Sequence, residues 1–438
     1  MLKNISISDS FLIYFKSISW LLIEKILRLT IGLYVSIWVT RYLGPENFGI
    51  YAYSITFVGL LSFIATLGLD GILVKWLVKD EDRSNEILGT SLILKICGAV
   101  ISIVIIFAAV NLTSSNSLTK YLILIISLST LFQSFNVVEL YFQSKILGKY
   151  IAYSNIISLF ICNLLKVIFI YINAPLSLFA YVFLFEAFLI SLCFVIYFFY
   201  LSPIKFRNLK FKKKLAFELL EDSWPMILSG LVISLYMKID QIMIKEILTV
   251  EYVGYYAAAV RLSEAWYFIP MIVANSVFPS IIKAKEINNY LYNKRVGQLN
   301  DFMLYVALSI AVPMTFLSNL VVESLYGNKF LPAGDILTVH IWAGIFVCIG
   351  ISSSKWLVAE GLQVFYTINT AIGAVANIIL NYLLISKYGI IGAAWATLIS
   401  YSIASYLTLS LWKSTRPNFI SLSQSFLFVR LLSVKKNS

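Results

Sequence analysis

Residues 176–201 read LSLFAYVFLFEAFLISLCFVIYFFYL, and Glu186, near the middle, is the only charged side chain in the run. An apolar run of about 20 residues is long enough to cross a bilayer as a helix. A charge midway along such a helix is costly in hydrocarbon, so it usually faces a polar cavity inside a helix bundle. This stretch therefore predicts a transmembrane helix that lines a polar interior.

The same pattern recurs along the chain. Of its 438 residues, 60% are hydrophobic and only 13% are charged, whereas soluble domains are about 25% charged. A soluble fold of this size could not bury so much apolar surface, so the composition predicts an integral membrane protein. Twelve spans are predicted, at residues 17–39, 48–74, 86–110, 118–143, 150–173, 176–201, 222–246, 252–281, 299–322, 332–356, 362–385 and 389–412.

The longest polar gap, residues 202–221, divides these spans into two sets of six, and six cationic side chains lie between Lys205 and Lys214. We predict an all-α integral membrane protein with about 12 transmembrane helices, arranged as two six-helix lobes around a central cavity. The predicted domains are an N-terminal lobe (1–201), a basic cytoplasmic linker (202–221), a C-terminal lobe (222–412) and a cytoplasmic tail (413–438).

The distribution of Lys and Arg predicts the orientation of the spans. With the N-terminus in the cytoplasm, the cytoplasmic segments carry 21 of these residues and the external segments carry 5. Cytoplasmic loops carry the positive excess in membrane proteins, so both termini are predicted to be cytoplasmic. This topology explains most of the net charge of +12. The positive charge also attracts the protein to anionic lipid headgroups. No nucleic-acid partner is predicted.

A short internal repeat favours two related halves. Residues 43–52 (LGPENFGIYA) and 248–257 (LTVEYVGYYA) match at five of ten positions, and each follows the first span of its predicted lobe. Two halves in the same orientation are related by an axis along the membrane normal. The alternative is a coincidence between two helix starts, in which an acidic residue and a glycine serve the first turn.

Charged side chains within the predicted spans are the candidate functional residues. In span one, Glu24 and Arg28 lie four residues apart and share a helix face, while Lys25 points about 100° away from Glu24. Either Glu24 and Arg28 neutralise each other, or one of the cations, Arg28 or Lys25, faces a substrate. The lone charges in other spans are Asp70, Lys95, Glu139, Lys166, Glu186 and Lys355.

In span seven, Lys238 and Asp240 lie two residues apart and do not face each other on a helix. Each must find a partner on another helix or in water, which favours a polar lumen. Arg261 and Glu264, in span eight, are three residues apart and could form a local salt bridge. The near balance of acids and cations fits a fully paired scaffold. It equally fits a lumen that holds an anion and exchanges it for a cation.

No cofactor, metal site or enzyme activity is predicted. His340 is the only histidine, and the four cysteines lie in separate apolar runs without metal-binding spacing. The chain lacks a G-x-x-x-x-G-K-[ST] phosphate-binding loop and a large soluble segment that could house catalysis. Any energy source is then an ion gradient, the membrane potential or substrate supply.

Five segments, in order over nearly the whole chain, carry a resemblance to known proteins. They are residues 39–49 (VTRYLGPENFG), 67–72 (LGLDGI), 238–244 (KIDQIMI), 253–264 (VGYYAAAVRLSE) and 389–400 (GIIGAAWATLIS). Together they resemble the polysaccharide-unit (O-antigen) flippases, within the multidrug/oligosaccharidyl-lipid/polysaccharide exporter superfamily. The resemblance implies two lobes around a cavity that opens alternately to each side of a bacterial inner membrane.

The implied cargo is an oligosaccharide on polyprenyl diphosphate, moved from the cytoplasmic to the outer leaflet, with H+ or Na+ coupling in some members. Polymerase and chain-length proteins of the same pathway are the implied partners, beside membrane lipids. The candidate diphosphate-binding residues are Arg28, Lys25, Lys238 and Arg261. The candidate ion-coupling or lumen acids are Asp70, Glu186, Asp240 and Glu264. Further lumen candidates are Lys95 and Lys166.

Two alternatives remain open. A cation-coupled small-molecule or drug antiporter of the same fold would need an acid such as Asp70, Glu186 or Asp240. A membrane-embedded glycosyl-transfer or ligase enzyme usually carries a sizeable external loop, and the longest external gap here has only about ten residues. We therefore expect a flippase for O-antigen or related surface polysaccharide synthesis, with the antiporter as the alternative.

Overall fold

The computed structural model describes Ser17 and residues 19–427. Regular structure in this part of the chain is helical throughout, without a strand. The main helices are α1 (Ser19–Leu60), α2 (Ser62–Lys79), α3 (Glu81–Leu112), α4 (Ser117–Ser144), α5 (Gly148–Tyr171), α6 (Leu176–Leu201), α7 (Lys213–Ile247), α8 (Val250–Ile287), α9 (Asn289–Tyr326), α10 (Pro332–Ala359), α11 (Gln363–Tyr388), α12 (Ile390–Ser410) and α13 (Arg416–Phe426).

Ten described helices, α3 to α12, are long and apolar enough to cross a membrane. They correspond one for one to the third through twelfth predicted spans. Helices α1 and α2 pass the same test only together, as a pair bent by 43°, which raises the count to 11 at most. The all-α multi-pass fold is therefore confirmed, whereas the exact number of twelve spans is not.

The first predicted span and the start of the second lie in one helix, α1, and the second span continues past the bend into α2. The backbone leaves helical geometry at Gly44 (φ 71°, ψ 173°), directly before Pro45. Glycine adopts a positive φ without steric cost, and the residue before proline is disfavoured in the α region. The predicted connection at residues 40–47 is therefore helical apart from Gly44, and no polar loop lies there.

Helix α1 also contains a π-helical turn at Arg28–Gly32. Such turns are rare inside α-helices and often lie at functional sites. This one begins at a candidate residue for anion binding. It leaves Glu24 on the preceding α-helical turn, four residues from Arg28.

Contacts divide the chain into two compact units. The first comprises Met1–Leu43 and Ser54–Ser234, and the second comprises Gly44–Tyr53 and Leu235–Ser438. The core of the first unit includes Leu69, Leu73, Phe142, Phe194 and Leu219, all fully buried or nearly so. The dividing point in α7 differs from the predicted linker, so the six-plus-six lobes stay a prediction.

Two segments outside the predicted spans, the basic linker and the start of the predicted tail, are hydrogen-bonded to helices of their units. In the first unit, the backbone N–H of Lys212 donates to the hydroxyl of Thr90 (3.1 Å). In the second unit, the α13 residue Asn418 donates from Nδ2 to Ser353 Oγ (2.6 Å). The basic linker and the start of the predicted tail are therefore ordered parts of their units.

The second unit packs helices closely through small residues, as membrane helices commonly do. A Cβ atom added to Gly373 on α11 would lie only 2.5 Å from the Cβ of Ala404 on α12. Ala393, Ala394 and Ala396 on α12 are completely buried. The backbones of α11 and α12 can approach each other because neither side chain is large.

The two segments of the predicted repeat pack against each other within the second unit. A Cβ atom on Gly49 would lie 1.9 Å from the carbonyl oxygen of Val250, and one on Gly254 would lie 2.0 Å from that of Pro45. Neither position accepts any larger residue without backbone movement. The contact is reciprocal between equivalent positions, which supports the predicted repeat.

Candidate functional site

A polar cavity of about 500 Å³ lies within the first unit. Residues from α1 to α6 line it, many of them near the middle of long apolar helices. Charged side chains at such positions need a polar cavity or a partner, and this cavity supplies both. Its charged and amide-bearing lining residues are Arg28, Asp70, Lys95, Gln133, Asn136, Glu139, Asn155 and Glu186.

Arg28 belongs to an ion-pair network at one wall of the cavity. Its Nε donates to Glu24 Oε1 at 2.7 Å, and the Glu24 side chain is only 3% exposed. Its Nη1 lies 3.7 Å from Glu186 Oε1, while Lys166 Nζ lies 3.6 Å from the other Glu186 oxygen. The predicted pair of Glu24 and Arg28 thus forms, and Arg28 still reaches the cavity with 35% of its side chain exposed.

Lys95 forms a second polar cluster in the same cavity. The side chain is 1% exposed and pairs with Asp70, and Nζ also donates to Asn136 Oδ1 at 2.5 Å. A buried ammonium group needs both an ion pair and hydrogen bonds to offset the loss of hydration. Glu139 lines the same cavity and accepts a hydrogen bond from Gln143 (3.2 Å). Two acids therefore accompany one lysine here.

Lys25 does not join these clusters. It is exposed and is absent from the cavity lining, and it forms no ion pair with any residue in the described part of the chain. Arg28 lines the cavity, whereas Lys25 acts on the cavity acid Glu139 only through its charge at a distance. The structure thus separates Lys25 from Arg28, although both were candidates for the same anion.

In the second unit, Asp240 is a buried acid held by neutral groups. The hydroxyls of Tyr256 and Thr397 donate to its Oδ2 at 2.7 and 2.9 Å. Its other oxygen, Oδ1, is buried and accepts no close hydrogen bond from a described residue, although the side chain of Asn381 interacts with the same carboxylate. Burial of an acceptor without a donor is costly. This oxygen is therefore a candidate position for a proton or a small cation.

A chain of amides continues from this acid along α11. Asn381, beside Asp240, donates to Asn377 Oδ1 at 2.9 Å, and Asn377 donates to Ser400 Oγ on α12 at 3.0 Å. The Oδ1 atom of Asn381 is a second buried acceptor without a partner in the described structure. Two acceptors of this kind in one polar cluster strengthen the case for a cation there.

The remaining candidates of the second unit do not pair with each other. Lys238 is half-buried and forms no ion pair with a described residue. Asp240 contacts Tyr256 and Thr397 instead of Lys238, as the spacing of two residues predicted. No ion pair joins Arg261 to Glu264 within residues 19–427. The guanidinium of Arg261 lies 5.6 Å from the ring centre of Phe48, a cation–π arrangement.

Neutral polar residues complete both clusters, and the sequence reading did not single them out as site residues. Asn136 contacts Lys95, and Tyr256 and Thr397 contact Asp240. A single Asn, Tyr or Thr inside an apolar span carries no distinctive signal. Tyr256 and Thr397 lie in segments that carry the resemblance, and Tyr256 also lies in the predicted repeat; these positions are the signals that could have drawn attention to them.

The second unit also contains an apolar groove of about 790 Å³. Aromatic side chains of α10, α12 and α13 line much of it, including Trp342, Trp395 and Phe426. The lining hydroxyls of Thr338 and Ser402 donate to carbonyl groups of their own helices. The groove therefore presents hydrocarbon and aromatic surface, in contrast to the cavity of the first unit.

These features define a multi-pass α-helical membrane protein with a transporter fold. The structure is similar to the lipid II flippase MurJ in an inward closed conformation (TM-score 0.72, 18% identity, 94% of this chain and 92% of that chain). It is also similar to an inward-facing multidrug resistance MATE family transporter of the MOP superfamily (TM-score 0.70, 16% identity, 96% of this chain and 99% of that chain). At these identities the likeness shows the fold alone.

The chain belongs to the family described as polysaccharide biosynthesis protein, which matches residues 14–285. It is 24% identical over 405 residues to a putative O-antigen transporter of Shigella flexneri, covering 86% of this chain and 92% of the relative. A probable low-salt glycan biosynthesis flippase, Agl15, and a probable flippase, AglR, both of Haloferax volcanii, are 24% and 29% identical, and the chain covers 37% of each. The family predicted from the sequence is confirmed.

Proposed function

We propose that this protein is a flippase for polyprenyl-diphosphate-linked oligosaccharide units in O-antigen or related surface polysaccharide synthesis. It would move them from the cytoplasmic to the outer leaflet of a bacterial inner membrane. The polar cavity with Arg28 and Lys95 on its wall carries the proposal. A diphosphate loses its hydration in hydrocarbon at great cost, and charge-assisted hydrogen bonds from cationic side chains replace that hydration.

The proposed mechanism is alternating access, in which the headgroup site is open first to one side and then to the other. Arg28 is the first anchor for the diphosphate because it is partly exposed to the cavity. Lys238 and Arg261 are the proposed anchors from the second unit. Lys25 ranks below Arg28, because Arg28 lines the cavity and Lys25 does not. The prenyl tail needs no protein path, since it can stay in lipid.

We also propose that transport is coupled to H+ or Na+ at Asp240. The unpartnered Oδ1 of Asp240 and that of Asn381 support this assignment. A cation bound there would satisfy both acceptors, and its loss would leave them buried without a partner. Asp70, Glu186 and Glu264 are the other candidate acids. The first two are engaged by Lys95 and by Arg28 with Lys166.

The decisive experiment replaces the proposed anchors in cells that depend on this protein for surface glycan. Arg28→Ala and Lys238→Ala should leave the protein inserted in the membrane but cause lipid-linked units to accumulate on the cytoplasmic face. Arg207→Ala is the matched control, because Arg207 is exposed on the linker. Normal surface glycan in both anchor variants would remove these residues from the mechanism.

A cation-coupled small-molecule antiporter is the second candidate function, and the buried Asp240 is the feature that favours it. In that case Asp240→Asn would abolish resistance to a cationic drug. Deletion of the whole protein would leave the surface glycan unchanged. Loss of surface glycan on deletion of the protein would rule out the antiporter function.

A further inference from the structure

We infer that Glu186 is a built-in counter-anion, which occupies the cation pair of Arg28 and Lys166 until a phosphate group displaces it. The inference rests on the proposed function, because a lipid-linked diphosphate supplies the displacing group. It assigns Lys166 to the phosphate site, together with Arg28. It assigns Glu186 a competitive role in place of ion coupling.

The geometry of the network shows an incomplete engagement of both cations. Glu186 lies 3.7 Å from Arg28 Nη1 and 3.6 Å from Lys166 Nζ. Contacts of that length are ion pairs without hydrogen bonds. One carboxylate therefore spans two cations from two other helices, α1 and α5, and bonds closely to neither. A tetrahedral phosphate offers more oxygen atoms and could satisfy both cations at hydrogen-bond distance.

Glu24 prepares Arg28 for this exchange. It takes only the Nε donor, at 2.7 Å, and it is almost fully buried. The terminal nitrogens of Arg28 donate no hydrogen bond to any residue described in the structure. A guanidinium held at Nε keeps its outer donors in a fixed orientation, which suits bidentate recognition of phosphate. Glu24 is therefore a positioning residue for Arg28.

Accessibility supports the exchange at Glu186. Arg28 and Glu186 both line the 500 Å³ cavity, and the Glu186 and Lys166 side chains are 22% and 20% exposed. Lys166 is not itself a lining residue, but a ligand in the cavity can reach Arg28 and the Glu186 carboxylate that bridges the two cations. Formal charges balance in the four-residue network, since two acids accompany two cations. Removing the Glu186 charge leaves a net positive site for an anion.

The test measures binding of inorganic diphosphate to the purified full-length protein by titration calorimetry at constant pH and ionic strength. Glu186→Gln should tighten binding roughly tenfold, because it removes a like charge about 4 Å from the bound anion. Arg28→Gln and Lys166→Gln should each weaken binding by a similar factor. Glu221→Gln, on an exposed acid of α7, is the matched control and should bind like the wild type.

Glu186→Asp provides a second test in case the Gln variant folds poorly. Its shorter carboxylate reaches the two cations less well, so diphosphate binding should again tighten. Wild-type or weaker affinity in the well-folded Glu186 variants would overturn the inference. Equal tightening in Glu221→Gln would also overturn it, since the effect would then be one of general surface charge.

This outcome can be separated from failure of the proposed function. Unchanged diphosphate affinity in the Glu186 variants, with glycan export still dependent on Arg28, would remove the counter-anion and keep the flippase. Tighter binding in Glu186→Gln, with glycan unaffected by deletion of the protein, would keep the anion site and remove the flippase.

Discussion

The two units stabilise charge inside apolar helices in different ways. The first unit distributes acids and cations around an open polar cavity, where Arg28 and Glu186 stay partly exposed. The second unit buries the acid Asp240 among neutral hydroxyl and amide groups, with Glu264 as the other acid near it. Water and opposite charge both reduce the cost of an ion in the membrane. Under the proposed function, the first arrangement would exchange a large anion and the second would bind one small cation.

The polar cavity of the first unit and the apolar groove of the second unit differ in the same way as the charged residues do. The cavity of the first unit is lined by charged and amide side chains. The groove of the second unit is lined mainly by aliphatic and aromatic ones, including Trp342 and Trp395. Substitutions in each unit test this contrast.

Loss of an ion-pair partner in the first unit should have the largest effect on stability. Asp70→Ala leaves Lys95, which is 1% exposed, without its carboxylate. Removal of one partner of a buried pair costs about 3–5 kcal/mol. We expect about 3 kcal/mol, since Asp70 itself is 44% exposed. Thermal unfolding in detergent measures it, and Asp70→Ala with Lys95→Met should recover most of the loss. A wild-type midpoint for the single variant would show that the cavity hydrates Lys95 fully.

A change in the second unit that involves no charge should rank next. In Gly254→Ala the new methyl group would lie 2.0 Å from the Pro45 carbonyl oxygen. Overpacking of this kind costs roughly 1–3 kcal/mol, seen as a lower unfolding midpoint. The control is Gly71→Ala, where the nearest heavy atoms would be 3.8 Å away. Equal midpoints for both variants would contradict the reciprocal glycine contact.

Asp240→Asn tests the proposed ion coupling at the buried acid of the second unit. The remaining oxygen can still accept from Tyr256 and Thr397, so the fold should persist while the negative charge is lost. We expect the dependence of transport on a Na+ or H+ gradient to fall roughly tenfold. Transport in proteoliposomes under imposed gradients measures this. In Glu186→Gln, transport should still depend on the ion gradient. Loss of that gradient dependence in Glu186→Gln would assign ion coupling to the first unit.

The smallest effect is expected at the apolar groove. Trp342 Nε1 donates to Thr315 Oγ1 at 3.1 Å, and Trp342→Phe removes that bond at a cost of about 1 kcal/mol. Trp395→Phe is the control, because Trp395 lines the same groove and its indole donates to no described residue. A much larger loss at Trp342 than at Trp395, measured by unfolding, would show that the groove depends on polar contacts.

Much of the fold follows from local sequence. The predicted spans 86–110 and 176–201 correspond to α3 (Glu81–Leu112) and α6 (Leu176–Leu201), because hydropathy over about 20 residues decides whether a segment can cross a membrane. The pair of Glu24 and Arg28 was likewise predictable, since a spacing of four residues brings side chains together on a helix.

The partners of the other charges were not predictable from the sequence. Lys95 meets Asp70 and Asn136, which lie 25 and 41 residues away. Asp240 meets Thr397, which lies 157 residues away. Helical spacing says which face a residue occupies, but it does not say which helix lies opposite that face. The separation of Lys25 from the cavity has the same origin.

The amino-acid sequence alone determined the helices, their apolar character and the presence of charges that need a polar environment, because these follow from short-range hydropathy and helix geometry. The tertiary structure decided that Glu186 stands between Arg28 and Lys166, and that Asp240 keeps one oxygen without a donor. Those arrangements arise where side chains from distant segments meet, and their energies depend on distances and burial that only the packing of whole helices sets.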